Sequence, residues 1–224
     1  MQRYELLTRL ARHLGARSYL EIGVQQGVTF HQIPVTRKVG VDPDPGSAAT
    51  VKLTSDAFFA QNQEAFDLIF IDGLHQAEQV IKDIHNALDI LRAGGVLVVH
   101  DCDPPTERSG QPEPCSGVWC GDVWKAWGFL QLQLMDHLFL CVDTDLGCGL
   151  IFPHATMTGM LEAGVKLPLR AVSEAEVPFL LIEEQIQGMT WTDFRSMRQE
   201  YLRLIPVDQA LDLIASLPPV SHAW

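Results

Sequence analysis

Short apolar runs alternate with helical patterns over the first two thirds of the chain, and this alternation constrains the fold more than any other feature of the sequence. Each run is rich in Val, Ile, Leu or Phe and is bounded by turn-forming residues, at positions 18–22, 38–41, 66–71 and 95–100. Such runs are typical of strands buried on both faces of a parallel sheet, with helices covering those faces. The sequence therefore predicts an α/β fold with a doubly wound, Rossmann-like and mostly parallel sheet.

Helical patterns flank and connect these predicted strands. Residues 2–14 and 123–134 read as helices, and residues 77–91 place apolar side chains at intervals of three or four on one helix face. Gly94 and Gly95 follow this third segment, and glycine is common where a helix ends. We therefore predict a crossover helix that the glycine pair terminates.

The segments that follow predict a loop and a hairpin. Residues 103–121 are rich in Pro, Gly, Ser and Cys and are too many for an ordinary connection, which is typical of a lid or substrate wall. Residues 138–143 and 149–152 predict two strands joined by a glycine-containing turn. We expect them to form an antiparallel hairpin at one edge of the sheet.

The C-terminal part of the chain predicts helices only. Residues 179–187, 191–205 and 207–217 have helical patterns. The length of 224 residues favours one substantial domain with appendages. We predict a cofactor-binding domain at 1–153 and a helical extension at 154–224 that packs on this domain or on a second subunit, so that a homodimer is expected.

Composition and charge exclude several classes of partner. The formal net charge is −12, with only 16 Lys and Arg residues, which argues against nucleic-acid binding and favours a small neutral ligand. No apolar run approaches the roughly 20 residues that span a bilayer, and the N-terminal stretch has no signal-peptide core. We therefore expect a cytoplasmic protein with no membrane partner.

The first predicted strand leads into a ligand-binding turn. It carries Glu21 and is followed by Gly23 and Gly27, a G-x-x-x-G spacing rather than the G-x-G-x-x-G of dinucleotide folds. A carboxylate would repel the pyrophosphate of NAD, whereas it would attract an amino acid that carries a cationic sulfonium. The turn therefore favours S-adenosylmethionine over NAD.

The second predicted strand ends at an acidic residue, Asp42. This position, about 20 residues after the glycine turn, is where an acidic side chain in a doubly wound fold accepts hydrogen bonds from a ribose diol. Asp44 competes for the same role, but Pro43 holds the turn directly after Asp42, and Asp44 reads as a solvated turn residue. We predict that Asp42 binds the ribose.

These elements, in this order and at this spacing, resemble the class I S-adenosylmethionine-dependent methyltransferases over residues 15–152. The stretches at 66–75 and 94–101 resemble the subgroup of sugar and macrolide O-methyltransferases, the methyltransferase type 24-like proteins. The resemblance implies a seven-stranded sheet. It also implies that the adenine of the cofactor is contacted near Thr54, with Ser55 and Asp56 in the cofactor site.

Two carboxylates and two imidazoles follow the third and fourth predicted strands: Asp72, His75, His100 and Asp101. Since ligands bind outside the carboxyl ends of parallel strands, these side chains are expected to converge. In the resembling enzymes the residue matching Asp72 and the acidic pair after the next strand bind Mg²⁺, and the histidine matching His75 is the base. Asp72 is also expected to border the cofactor, and Asp101 to serve as a metal-binding or orienting carboxylate.

The chain departs from the family pattern at His100, where the pattern has a carboxylate. Since Mg²⁺ prefers oxygen ligands, a site made of Asp72, His100 and Asp101 leaves Mn²⁺, Fe²⁺ or no metal as alternatives. Asp103 is a further candidate carboxylate from the loop. The alternatives without a ligand are that Asp72 caps the following helix and that His100 is a core histidine.

The resulting functional prediction is a methyltransferase that uses S-adenosylmethionine to methylate a hydroxyl of a small molecule, a sugar or natural product, with possible help from a divalent cation. Two alternatives remain. One is an NAD-dependent oxidoreductase, disfavoured by the glycine spacing and by the absence of a Tyr-x-x-x-Lys pair. The other is a catalytically inactive protein that binds S-adenosylmethionine and acts as a partner, which His100 supports.

Overall fold

The fold is a seven-stranded sheet with helices on both faces, as predicted. The computed structural model describes residues 1–167 and 183–222. The strands are β1 (Ser18–Ile22), β2 (Arg37–Val41), β3 (Phe66–Ile71), β4 (Leu91–Val99), β5 (Leu138–Val142), β6 (Cys148–Phe152) and β7 (Leu204–Ile205). Their order in the sheet is β2-β1-β3-β4-β6-β5-β7, and among the described strands only β6 runs antiparallel to both of its neighbours.

The helices divide into two layers because side chains of the central strands alternate between the two faces. The described helices are α1 (Arg3–His13), α2 (Ser55–Phe59), α3 (Ala77–Asp89), α4 (Val123–Gln133), α5 (His154–Glu162), α6 (Glu183–Gly188), α7 (Trp191–Ser196), α8 (Arg198–Tyr201) and α9 (Val207–Ser216). Leu68 and Phe70 belong to the core under α1, α5 and α9, whereas Ile69 and Ile71 belong to the core under α2, α3, α4, α7 and α8.

The glycine pair does not end α3, so that prediction was wrong. The helix stops at Asp89, and both glycines lie inside β4, next to a shift in the β3–β4 register. Gly94 has a φ of +85°, and a Cβ on Gly95 would lie 2.7 Å from the backbone oxygen of Asp67. The glycines therefore permit an irregular strand, which their sequence pattern does not distinguish from a helix terminus.

The C-terminal region also differs from its prediction. Residues 191–205, predicted as one helix, form α7, α8 and the strand β7. Arg203, with a φ of 49°, lies in the turn between α8 and β7. β7 pairs with β5, so the antiparallel hairpin of β5 and β6 is confirmed but does not form the sheet edge. Part of the helix predicted at 179–187 lies outside the described residues.

The last helix packs within the same chain. α9 lies against α1, where His13 Nε2 is 2.9 Å from the carbonyl oxygen of Leu217 and the Val220 amide donates to the Leu14 carbonyl at 2.9 Å.

The described part of the chain contains no helix with the length and apolar character of a membrane span. The division at residue 153 and the homodimer stay predictions.

A buried carboxylate fixes β1 to β3. Asp67 is fully buried, and its Oδ2 accepts hydrogen bonds from the amides of Arg17 at 2.7 Å and Ser18 at 2.9 Å. The change Asp67→Ala leaves both amides unpaired, and we expect the free energy of unfolding to fall by about 3 kcal/mol in urea denaturation. The exposed control Asp212→Ala should change it by less than about 0.5 kcal/mol. Equal losses in the two variants would contradict this role.

Candidate functional site

A cleft of about 650 Å³ opens at the carboxyl ends of β1, β2 and β3. Its volume is that of a small-molecule site, and its position is where open α/β sheets bind ligands. Five residues predicted to hold the cofactor lie on its wall: Gly23, Asp42, Ser55, Asp56 and Asp72. The structure thus brings together residues from four separate segments of the chain.

The two predicted glycines have different positions. Gly23 lines the cleft with a φ of +88°, and a Cβ there would lie 2.0 Å from the backbone oxygen of Asp72. Only glycine therefore lets the loop after β1 pass so close to the end of β3. Gly27 lies behind the wall, where its amide donates to Val24 at 2.8 Å and closes the turn.

Glu21 lies beneath the cleft rather than on its wall. Its side chain is buried in β1, and the hydroxyl of Tyr19 donates to its Oε2 at 2.5 Å. Burial raises the pKa of Glu21 to about 8, because the charged form loses its hydration. The carboxyl group is therefore largely neutral at neutral pH unless a positive charge binds nearby.

The ionisation of Glu21 predicts a pH dependence of stability. Its pKa is about 8 in the folded protein against an ordinary value of 4.5, so its stabilising contribution is complete below 4.5 and is lost as the pH rises through 8. The isosteric change Glu21→Gln removes this ionisation. We expect the variant to melt several degrees above wild type at about pH 9 and to lose most of this advantage at about pH 6, measured by thermal denaturation. A difference that does not change with pH would contradict the prediction.

Asp42 is held by the two loops that it joins. It is buried, its Oδ2 accepts from the Gln25 amide at 2.8 Å, and its Oδ1 accepts from the Asp44 amide at 2.9 Å. Asp44 is exposed, and its own carboxylate accepts from the Gly46 amide at 2.8 Å, as in a turn. Each Asp42 oxygen keeps a lone pair that a ligand hydroxyl can use.

The four polar side chains that follow β3 and β4 converge beside this cleft. His100 Nδ1 lies 3.1 Å from Asp72 Oδ1 and 3.2 Å from Asp101 Oδ2. His75 Nε2 lies 3.5 Å from Asp72 Oδ1 and 3.3 Å from Asp101 Oδ2. The cluster adjoins the cleft because Asp72 belongs to both.

The charges in this cluster shift its pKa values in opposite directions. Burial alone would raise the pKa of Asp72, but the charge of His100 and hydrogen bonds from both imidazoles hold it well below its usual range. Burial opposes a charge on His100, yet Asp72, Asp101 and Asp145 hold the pKa of His100 well above its usual value. The pKa of His75 is raised despite burial by its hydrogen bond to Asp72 and the charge of Asp101.

Of the two alternatives without a ligand role, the structure excludes the one proposed for Asp72. α3 is preceded by Gln76, and the amide of its first residue, Ala77, donates to Asp122 Oδ1 at 2.7 Å, so Asp72 is not its cap. His100 is buried and its Nδ1 faces two carboxylates, so a core histidine with its polar atom paired remains the alternative to a ligand.

Two members of the cluster were missed by the sequence analysis. The Arg3 guanidinium lies 3.4 Å from Asp72 Oδ2 and 3.4 Å from Asp145 Oδ2, and Asp145 Oδ1 lies 3.8 Å from His100 Nε2. Asp145 has a φ of 44° in the turn between β5 and β6. The positions are far apart in sequence and belong to no motif, so no sequence signal marks them.

The loop at 103–121 returns to the cluster. The Trp119 carbonyl lies 3.0 Å from His75 Nδ1, and the centroids of the two rings are 5.1 Å apart. Asp103 instead pairs with Arg195 at 3.1 Å and with Arg198. Asp103 is therefore committed to an ion pair, and the structure does not support it as a further metal ligand.

A second, charged cleft of about 300 Å³ lies on the side of the cluster away from β1 and β2. Asp145 lines it and also contacts the cluster. The other charged residues on its wall are Asp103, Asp143, Arg195 and Arg198.

Comparison with known proteins gives a domain match over part of the chain and a shared fold. Residues 20–102 match the model of a family described as a methyltransferase domain. The comparison with curated proteins found no match. Among solved structures, the O-methyltransferase TomG from Streptomyces achromogenes, involved in tomaymycin synthesis and solved in complex with S-adenosylmethionine, is 21% identical, with 67% of this chain and 79% of that chain covered and a TM-score of 0.50.

Two further solved structures have the same fold. The methyltransferase PaMTH1 from Podospora anserina, bound to S-adenosylhomocysteine, is 18% identical, with 67% and 77% of the two chains covered and a TM-score of 0.50. A proposed O-methyltransferase from Klebsiella pneumoniae is 18% identical, with 68% and 80% covered and a TM-score of 0.53. The partial match and the shared fold are consistent with the predicted class, a class I S-adenosylmethionine-dependent methyltransferase.

Proposed function

We propose that the protein transfers the methyl group of S-adenosylmethionine to a hydroxyl oxygen of a small acceptor, assisted by a divalent cation. One observation carries this proposal: the cluster of carboxylates and imidazoles adjoins the cofactor cleft through a shared residue, Asp72. A group that removes a proton and a site that holds the methyl donor must be adjacent for such a transfer.

The cleft residues suit the parts of the cofactor. Asp42 accepts hydrogen bonds from the ribose diol, and Ser55 and Asp56 contact the adenine. Gly23 lets the backbone approach the amino-acid part, and Glu21 offers a negative charge near the cationic groups. The cofactor supplies a methyl group on a positively charged sulfur, so it needs little chemical activation, and its positioning carries much of the rate.

A divalent cation fits the chemistry of the cluster. Asp72 and Asp101 each offer one carboxylate oxygen, and these atoms lie within 4.8 Å of each other and of an imidazole nitrogen of His75, which would stay outside the ligand set as the base. His100 Nδ1 faces the same two carboxylates, as the predicted set of Asp72, His100 and Asp101 requires. Mixed imidazole and carboxylate donors suit Mn²⁺ or Fe²⁺ better than Mg²⁺. A cation there would lower the pKa of a hydroxyl group that reaches it.

His75 is the proposed base. If its Nδ1–H donates to the Trp119 carbonyl, Nε2 is left as the proton acceptor and faces the carboxylates. The raised pKa of His75 opposes this role, because an imidazolium cannot accept a proton. The positive charge of a cation bound by Asp72 and Asp101 would favour the neutral imidazole that the reaction needs.

The acceptor fits the side of the cluster that carries the second cleft. This cleft presents the carboxylates of Asp143 and Asp145, the hydroxyl of Thr144 and the guanidinium groups of Arg195 and Arg198. Hydroxyl groups both donate and accept hydrogen bonds, so a polyhydroxylated molecule can use both kinds of partner. We therefore propose that the acceptor is a sugar or a similarly hydroxylated natural product.

A transfer assay tests the proposal. The protein would be incubated with methyl-labelled S-adenosylmethionine and a panel of sugars and other hydroxylated compounds, with Mn²⁺, with Mg²⁺ or with a chelator. We expect a labelled product that forms fastest with Mn²⁺. Binding of the cofactor without turnover under any condition would instead support an inactive binding partner.

A further inference from the structure

A group of hydrogen-bonded side chains lies at one end of the cofactor cleft. It centres on Gln79, in the first turn of α3, which lies on the cleft wall with Ser55 and Asp56. Gln79 Nε2 lies 3.2 Å from Ser55 Oγ, 2.9 Å from Asp56 Oδ1 and 3.0 Å from Asp83 Oδ1. Neither Gln79 nor Asp83 belongs to a recognisable sequence motif.

Asp83 anchors this group from below. Its side chain is only 1% exposed, so it cannot extend into the cleft, and it also shares a hydrogen bond with Ser55. A buried carboxylate of this kind needs fixed donors, and Gln79 supplies one. The Gln79 amide is thereby held in place between α2 and α3.

Asp56 is the member of the group that can meet a ligand. It is exposed on the cleft wall, and its contact with Gln79 involves only Oδ1. A free surface carboxylate would sample many positions, and its contribution to binding would be reduced by the entropy of ordering it. Gln79 removes that freedom and presents a fixed acceptor of hydrogen bonds.

We infer that Gln79, anchored on Asp83, is a positioning residue that makes the cleft select adenine over hypoxanthine by fixing Asp56 as an acceptor for the purine 6-amino group. The inference rests on the proposed placement of the ribose at Asp42 and the adenine at Ser55 and Asp56. Adenine carries a donor at position 6, whereas hypoxanthine carries an oxygen that a carboxylate repels.

The test compares S-adenosylhomocysteine with S-inosylhomocysteine by calorimetric titration of the full chain. The two compounds differ at position 6, an amino group against a carbonyl oxygen, and at N1, which accepts hydrogen bonds in adenine and carries a hydrogen in hypoxanthine. Wild type is expected to bind the adenosine compound about tenfold or more tightly, because a hydrogen bond to a charged group contributes about that much affinity. Gln79→Met should bring the ratio of the two dissociation constants several-fold closer to one. The matched control Gln61→Met, at an exposed glutamine that bonds the Ala57 carbonyl, should leave the ratio unchanged.

A second variant keeps the test decisive if Gln79→Met folds poorly. Asp56→Asn replaces an exposed acceptor by an amide that can donate, so the ratio should approach one or reverse. Equal affinity of wild type for both compounds would overturn the inference and leave the proposed function standing. The same would follow if Gln79→Met lost affinity for both compounds by the same factor. Failure of wild type to bind either compound would overturn the proposed function together with it.

Discussion

Replacing Asp42 by alanine is expected to weaken the binding of S-adenosylhomocysteine by at least about 100-fold. Each hydrogen bond from a ribose hydroxyl to an ionised carboxylate contributes about 1.5–3 kcal/mol, so the loss of two corresponds to about 3–6 kcal/mol. Asp42 also ties its loop to the loop after β1 through the Gln25 amide, and that link would be lost as well. Calorimetric titration of the variant measures the effect.

Asp44 provides the matched control for this prediction. It is an aspartate in the same loop that also borders the cleft, but it is exposed and its carboxylate accepts from the Gly46 amide within its own turn. Asp44→Ala is therefore expected to change the affinity by only a few-fold. A larger loss in Asp44→Ala than in Asp42→Ala would transfer the ribose-binding role to Asp44.

The second large effect is expected for His75→Ala, which should lower the rate of methyl transfer by about 10²–10⁴-fold, the usual contribution of a positioned general base. The affinity for S-adenosylhomocysteine should change little, because His75 does not line the cofactor cleft. The measurement is the turnover rate with an acceptor identified in the transfer assay, together with a titration of the variant.

The pH profile separates a base from a merely structural residue. Since the pKa of His75 is raised above its ordinary value of 6.5, the neutral form becomes available only as the pH rises, and wild-type turnover should increase with pH through this region. Residual turnover in His75→Ala should lack this rise. His85, an exposed histidine that contacts Gln133, is the control, and His85→Ala should behave as wild type. An unchanged profile in His75→Ala would contradict the assignment.

The central strands and the location of the site were predictable from local sequence. The bounds of β1 and β3 are those predicted, because each is an apolar run that ends at a glycine or aspartate and is buried on both faces. Parallel strands place their carboxyl ends on one edge of the sheet. Asp72, His75, His100 and Asp101 therefore had to converge once β3 and β4 were adjacent.

The other members of the site and the C-terminal strand depend on contacts that sequence patterns do not encode. Arg3 meets Asp145 across almost two thirds of the chain, and only the packing of α1 against the sheet brings them together. β7 has only two residues, too few for a strand period to appear beside the helical pattern around it. Gly94 and Gly95 were misread because a helix terminus and an irregular strand both favour glycine.

The cleft at the ends of β1, β2 and β3 is proposed to hold an S-adenosylmethionine-type cofactor. Calorimetric titration of the wild-type protein with S-adenosylhomocysteine, and separately with NAD, tests this most directly. We predict micromolar binding of S-adenosylhomocysteine and no detectable binding of NAD, because the spacing of Gly23 and Gly27 disfavours a pyrophosphate. Binding of NAD without binding of S-adenosylhomocysteine would contradict the account.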